Sequence, residues 1–199
     1  MVKVSVYVEG GATRHPRLNK DCRKGFSNFF ERLGLKITPK IIPCGNRQDA
    51  YDDFCIGLKK SKNNEYCLLL VDSEAPVSNP SVWQHVEWQK PKNVTEKHLH
   101  FMVECMEAWF MADKQALAQY YGKDFKANAL PSHSNIEKIS KRDLINTLKK
   151  ATKDTTKGVY SKGNHSFKIL SEIDANKVVE SSSYTKRLYD TLQNLSNTA

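Results

Sequence analysis

The 199-residue sequence predicts an α/β fold: a largely parallel sheet flanked by helices, with a mostly helical C-terminal part. Two observations carry that expectation. Strand-like and helix-like segments alternate through the first half. Within it, the uninterrupted apolar run Tyr66-Cys67-Leu68-Leu69-Leu70-Val71 has the makeup of a central strand buried on both faces. The second half reads as helices almost throughout. One compact domain is expected at this length. Residues 1–122 would form the α/β core and 123–199 a basic helical extension packed on it.

Val2, Val4, Val6 and Val8 alternate with Lys3, Ser5, Tyr7 and Glu9, the pattern of a strand with one apolar face. It runs into a turn at Gly10-Gly11, and Arg14, His15 and Pro16 fall in the loop that follows. Residues 21–33 read as a helix with Cys22, Phe26, Phe29, Phe30 and Leu33 on one stripe, stopped by Gly34. Residues 35–43 read as extended, and their two prolines favour a sheet edge. Asn46 caps a second helix over 46–60 that turns Ala50, Phe54 and Leu58 inward. After the apolar run a loop is expected over 75–96, then a strand over 98–103. A helix over 106–121 would bury Trp109, Phe110 and Leu117. Short helices over 143–152 and 167–173 follow. The last, over 182–195, carries Tyr184, Leu188, Leu192 and Leu195.

Apolar and aromatic residues occur along the whole chain, which argues against disorder. No apolar run approaches the ~20 residues of a membrane helix. The opening strand has no signal-peptide core, so export is not expected. The cysteines, Cys22, Cys44, Cys55, Cys67 and Cys105, are odd in number and form no CxxC pair. That suits a reducing, cytoplasmic setting and small core thiols rather than a disulfide framework, a zinc site or a nucleophile. The net charge is +9, and residues 138–168 hold nine basic side chains against two acidic ones. A concentrated positive field attracts polyanions, of which nucleic acid is the commonest; a solvated lysine-rich helix face is the plainer alternative.

Glu9 and Asp72 each stand at the C-terminal end of an expected strand. That is the side of a parallel sheet where ligands bind. A buried strand ending in a carboxylate needs a partner for the charge. Asp72 and Glu74, two apart, would point the same way in an extended segment, and Glu9 would join them from the neighbouring strand. Mg²⁺ relieves the repulsion in such a cluster, because it takes hard oxygen ligands. The alternative is that Asp72 caps a turn and Glu74 is solvated.

Val6-Tyr7-Val8-Glu9-Gly10 followed by Leu68-Leu69-Leu70-Val71-Asp72-Ser73-Glu74 resembles the Toprim domain of topoisomerases, bacterial primases, and OLD-family and RloB-like nucleases. Cys105-Met106-Glu107-Ala108-Trp109-Phe110 with Asp113 resembles a Toprim-like bacterial family of unassigned function. So does Tyr160-Ser161-Lys162-Gly163-Asn164-His165 with Ile173-Asp174. Members of that family often sit near ATPase genes in defence loci. The resemblance spans nearly the whole chain. It departs at one position, since the usual Toprim pair is Asp-x-Asp and the second acid here is Glu74.

The resemblance implies a Toprim-like fold and a nuclease that uses Mg²⁺ or Mn²⁺, with an ATPase partner and an antiphage role. Glu9 would be a general base or metal ligand, Asp72 and Glu74 metal ligands, and Glu107 a further ligand. For Glu107 the alternative is a carboxylate favoured by a helix N-terminus. The rival reading of the whole is a non-catalytic Toprim-like subunit that binds nucleic acid or an ATPase.

Lys162 and His165 fall in a Gly-containing loop of the basic stretch. A Lys near a metal site holds phosphate or stabilises transition-state charge, and a His donates to a leaving oxygen; an ordinary surface loop is the alternative. Arg14 and His15, close behind the Glu9 turn, are candidates for phosphate contact, as are Lys157, Lys162 and Lys168. The chain has no GxxxxGK[ST] motif, so no nucleotide cofactor site is expected. Trp83 and Trp88 lie in a loop, open to stacking on bases, and Trp109 reads as core. Glu104 reads as an exposed strand carboxylate, and Asp113 as the cap of a helical piece starting at Lys114.

Overall fold

A computed structural model describes residues 2–11 and 15–197. Strands β1 (Lys3–Val8), β2 (Lys40–Pro43), β3 (Glu65–Asp72) and β4 (Leu99–Met102) form one sheet in the order β2-β1-β3-β4. All three pairings are parallel. Parallel neighbours need crossover connections. These are α1 (Pro16–Arg32), α2 (Arg47–Lys60) and a longer segment that contains α3 (Val82–Val86). The α/β expectation holds, and the arrangement is consistent with a Toprim-like fold.

The alternation along β3 explains why its sequence is apolar throughout. Leu68 and Leu70 join Val4, Val6 and Val8 in a core that also takes in Phe26, Phe29 and the C-terminal helices. Leu69 and Val71 join Tyr7, Phe54 and Trp83 in a second core on the opposite face. A fully buried leucine is worth roughly 1.5–3 kcal/mol, so the centre of the sheet is strongly fixed. β2 is an edge strand, as Pro39 just before it and Pro43 at its end suggest. The other edge, β4, is covered by Arg187, whose Nη1 donates to the Leu99 carbonyl at 2.9 Å and whose Nη2 donates to the Glu96 carbonyl.

Several elements differ from the sequence reading. Helix α1 begins at Pro16 rather than at residue 21, because His15 Nδ1 accepts the Leu18 N–H at 3.2 Å and proline suits a first helical position. The expected loop over 75–96 contains α3, which buries Trp83; its indole N–H donates to the Thr95 carbonyl at 3.2 Å. The expected helix over 106–121 is broken into α4 (Glu107–Phe110) and α5 (Lys114–Tyr121). Asp113 makes the break: Oδ1 accepts the Ala116 N–H, and the carboxylate also takes the Asp174 N–H and Lys177 Nζ.

The C-terminal part holds α6 (Lys141–Thr152), α7 (Lys162–Leu170), α8 (Ala175–Ser181) and α9 (Ser183–Asn197). Helix α8 is not apparent in the sequence pattern. Helix α7 starts five residues earlier than expected, since His165 Nδ1 accepts the Ser161 N–H at 3.0 Å and closes the first turn. It packs on α1 at Gly25, where a Cβ would lie 2.6 Å from the Phe167 carbonyl oxygen. That glycine lets the α7 backbone sit against α1, and so sets where Lys162 emerges. Among the described residues no helix is long and apolar enough to cross a membrane.

Candidate functional site

The register brings the ends of β1 and β3 together. The Glu9 N–H donates to the Leu70 carbonyl at 3.0 Å, and Glu9 Oε2 in return accepts the Asp72 N–H at 3.0 Å. The chain then turns through Gly10, which exchanges two backbone hydrogen bonds with Gly45. Gly10 has φ +142°, and a Cβ on it would stand 2.9 Å from the Phe167 ring. Only glycine fits both constraints.

Asp72 is 1% exposed. Its Oδ1 accepts the Met106 N–H at 2.8 Å, and its Oδ2 lies 3.3 Å from Lys162 Nζ. Glu74 is not extended, contrary to the sequence reading. Its φ is +63°, and its N–H donates to the Glu104 carbonyl at 3.2 Å. The bend still delivers its carboxylate to the cluster: oxygens of Glu9, Asp72 and Glu74 all lie within 4.8 Å of one another. Glu74 Oε2 accepts from Lys141 Nζ at 2.5 Å. Glu104 is buried rather than exposed, and its Oε2 accepts the Lys141 N–H at 2.9 Å, tying the start of α6 to the sheet.

Glu107 is fully buried beside this cluster. Its Oε1 accepts the Tyr160 hydroxyl at 2.6 Å, while Oε2 makes no hydrogen bond and lies 3.9 Å from Lys162 Nζ. The Lys162 ammonium thus stands between Asp72 and Glu107. The electrostatics follow from burial among like charges. Burial, reinforced by Glu9 and Glu107, lifts the Asp72 carboxyl to about 7 against the pull of Lys162. Burial also raises Glu9, although the Asp72 N–H and Lys162 oppose it. Burial works against the Lys162 charge, yet Asp72, Glu107 and Glu9 outweigh it and hold the ammonium above its usual range. Burial and the neighbouring Glu107 push the Tyr160 hydroxyl up, so it stays a donor.

Beside the acids is a cavity of about 190 Å³ lined by Glu9, Gly10, Gly11, Asp72, Lys162 and Gly163, among others. A smaller one of about 170 Å³ adjoins it through Leu18 and Gly163 and includes His15. The donor set is hard oxygen throughout. Among the described residues, Glu9, Asp72 and Glu74 form one group whose oxygens could hold a metal ion, and hard oxygen ligands suit a divalent cation. Glu107, expected as a further ligand, is not in that group; its buried Oε2 lacks a hydrogen bond and faces Lys162. These residues fit a hard metal cation.

Other expected site residues lie elsewhere. Arg14 lies outside the described residues. Lys162 and His165 are helical, not in a loop. His165 lines neither cavity; it packs among Tyr120, Tyr121 and Tyr160 and caps α7, so it has no access to a leaving oxygen at the acids. His15 uses Nδ1 as a helix cap. Lys157 is exposed over the Tyr120 ring, and Lys168 is exposed on α7; neither lines the cavities. Trp83 is core, and Trp88 stacks on Tyr51 at 4.7 Å. Sequence reasoning missed Lys141, visible only as part of a charge run, and Tyr160 as partner of Glu107. Nothing in their spacing signals either pairing.

The sequence model of a family described as a domain of unknown function, DUF4276, matches residues 8–193. The chain belongs to that family. No curated protein and no solved structure matches it. The DUF4276 match takes in Glu9, Asp72, Glu74, Glu107, Tyr160 and Lys162, so the whole candidate site lies within the domain.

Proposed function

We propose that this protein is a Mg²⁺-dependent nuclease of Toprim-like type that cleaves nucleic-acid phosphodiester bonds. The observation that carries the reading is the convergence of Glu9, Asp72 and Glu74 within 4.8 Å at the C-terminal ends of parallel strands. Those three side chains would hold the cation, with Glu107 behind them. The bound metal would supply activation of water and stabilisation of the leaving oxygen. Lys162 lines the cavity, where its positive charge would meet a phosphate approaching over Gly10 and Gly11. Met106 and Asp72 contribute backbone N–H groups that fix the Asp72 and Glu9 carboxylates, so the ligands are oriented beforehand. An ATPase partner and an antiphage role belong to the same proposal and rest on the Toprim-like resemblance. The chain has no phosphate-binding loop motif with which to bind ATP itself.

A second reading has its own support: Asp72 and Glu74 already carry ammonium partners. On that reading the protein is a binding subunit without chemistry. One pair of assays separates the two. Single- and double-stranded DNA and RNA are incubated with Mg²⁺ or Mn²⁺, with and without the partner ATPase, and binding is measured in EDTA. For a nuclease, Asp72→Ala abolishes cleavage and leaves affinity unchanged or improved, because the carboxylate repels phosphate when no metal is present. A wild-type protein that never cuts any of the four substrates, partner supplied, leaves the binding subunit as the function.

A further inference from the structure

The acids of the site are partly neutralised by the chain itself. Asp72 commits Oδ1 to the Met106 N–H, and the oxygen left over, Oδ2, faces Lys162 Nζ at 3.3 Å. The same ammonium is 3.9 Å from Glu107 Oε2, a buried oxygen with no hydrogen bond. Glu74 is matched in the same way by Lys141. Two of the three carboxylates in the cluster therefore already hold a cation.

The partners differ in freedom. Asp72 and Glu107 are 1% and 0% exposed and pinned by the Met106 N–H and the Tyr160 hydroxyl. The Lys162 side chain is 50% exposed and that of Lys141 36%. Both lysine side chains are thus less confined than the carboxylates they face. A divalent cation and an ammonium cannot both sit against Asp72 Oδ2 without strong repulsion.

We propose that Lys162 and Lys141 are resident counter-cations of the site, which an entering divalent metal displaces. Lys162, which already lines the cavity with Gly10, Gly11 and Gly163, is thereby freed from the acids to meet an anionic group of the substrate there. The proposal rests on the metal-binding reading of the acids. It gives the lysine two positions with two roles: it holds the buried carboxylates together before metal arrives, and it binds phosphate once metal has taken its place. Phosphate binding is then coupled to metal loading.

The test uses the full chain and Mn²⁺ alone, with free Mn²⁺ read by electron paramagnetic resonance. Lys162→Met is expected to bind Mn²⁺ about tenfold tighter than wild type or more, because the competing charge is gone. Lys141→Met gains less, since its pair is exposed and screened. A second measurement needs no variant. An amine-acylating reagent, followed by mass spectrometry, is expected to label Lys162 several-fold faster with saturating Mg²⁺ than in EDTA, while exposed Lys149 is unchanged. Lys162→Met that binds Mn²⁺ no tighter than wild type overturns the proposal, and so does Lys162 labelling that ignores Mg²⁺. If no form of the protein binds Mn²⁺, the metal reading of the acids falls, and the displacement with it.

Discussion

Glu107 shows how much of the site depends on single polar interactions. Its carboxylate has no solvent contact, and the Tyr160 hydroxyl donates to it at 2.6 Å. Removing the partner of a buried charged group costs more than the bond itself, because desolvation is left uncompensated. Tyr160→Phe is expected to destabilise the protein by about 1–3 kcal/mol, read from urea denaturation. In Glu107→Gln the charge is absent, so the same Tyr160→Phe change costs less, and a double-mutant cycle shows that coupling. Additive losses would mean that the hydroxyl and the carboxylate act independently. The residues of the site are unequally legible in the sequence. Glu9 and Asp72 stand out because strand ends are visible in an apolar pattern. Spacing points to Glu74 as well, yet for the wrong reason: it reaches the cluster through a left-handed bend, not an extended segment. Tyr160 and Lys141 meet their acids across 53 and 67 residues. No local rule carries such a pairing.

At the scale of elements, the sheet is legible and the helix boundaries are not. Alternation in β1, the apolar run of β3 and the Asn46 cap of α2 are local features, and all three are present as expected. The break between α4 and α5 depends on Asp174 and Lys177 converging on Asp113, and the early start of α7 on a histidine cap. Tertiary partners decide such boundaries. Strand β4 carries a consequence of being an edge plugged by α9. His100 is fully buried there; Nε2–H donates to the Lys97 carbonyl at 3.0 Å and Nδ1 has no partner among the described residues. Burial, with Arg187 nearby, lowers the imidazole from 6.5 to about 3. The unfolded chain takes up a proton below pH 6.5 and the folded chain does not until about 3. The contribution is therefore complete above pH 6.5 and shrinks as pH falls through that window, by about 1.4 kcal/mol per unit. In His100→Gln the amide still donates to Lys97 but does not titrate. The stability gap between wild type and His100→Gln should narrow by about 2 kcal/mol between pH 7.5 and pH 5. A gap that stays constant would show that His100 titrates alike in both states.

Over the whole molecule, an acidic pocket sits within a chain of net charge +9. The two features have different ranges. The carboxylates act over a few ångströms and are matched by Lys141 and Lys162, whereas the wider surplus acts over about 10 Å in ordinary salt. Lys149 and Lys150 at the end of α6 and Lys153 just past it are exposed, and none of the three forms a salt bridge among the described residues. A polyanion drawn to the basic stretch would neutralise them and release counterions. In EDTA, where the acids hold no metal, affinity for a DNA or RNA oligonucleotide should fall steeply as salt rises. Changing Lys149, Lys150 and Lys153 together to Glu should weaken binding. It should also flatten the plot of log affinity against log salt by about one unit for each phosphate that is no longer neutralised. Asp72→Asn should leave that slope unchanged, since its carboxylate is buried against Lys162 and not exposed on the basic stretch. An unchanged slope in the triple variant would move the nucleic-acid surface off the end of α6 and leave the metal-binding reading of the acids untouched, because Lys149, Lys150 and Lys153 form no ion pair with those acids.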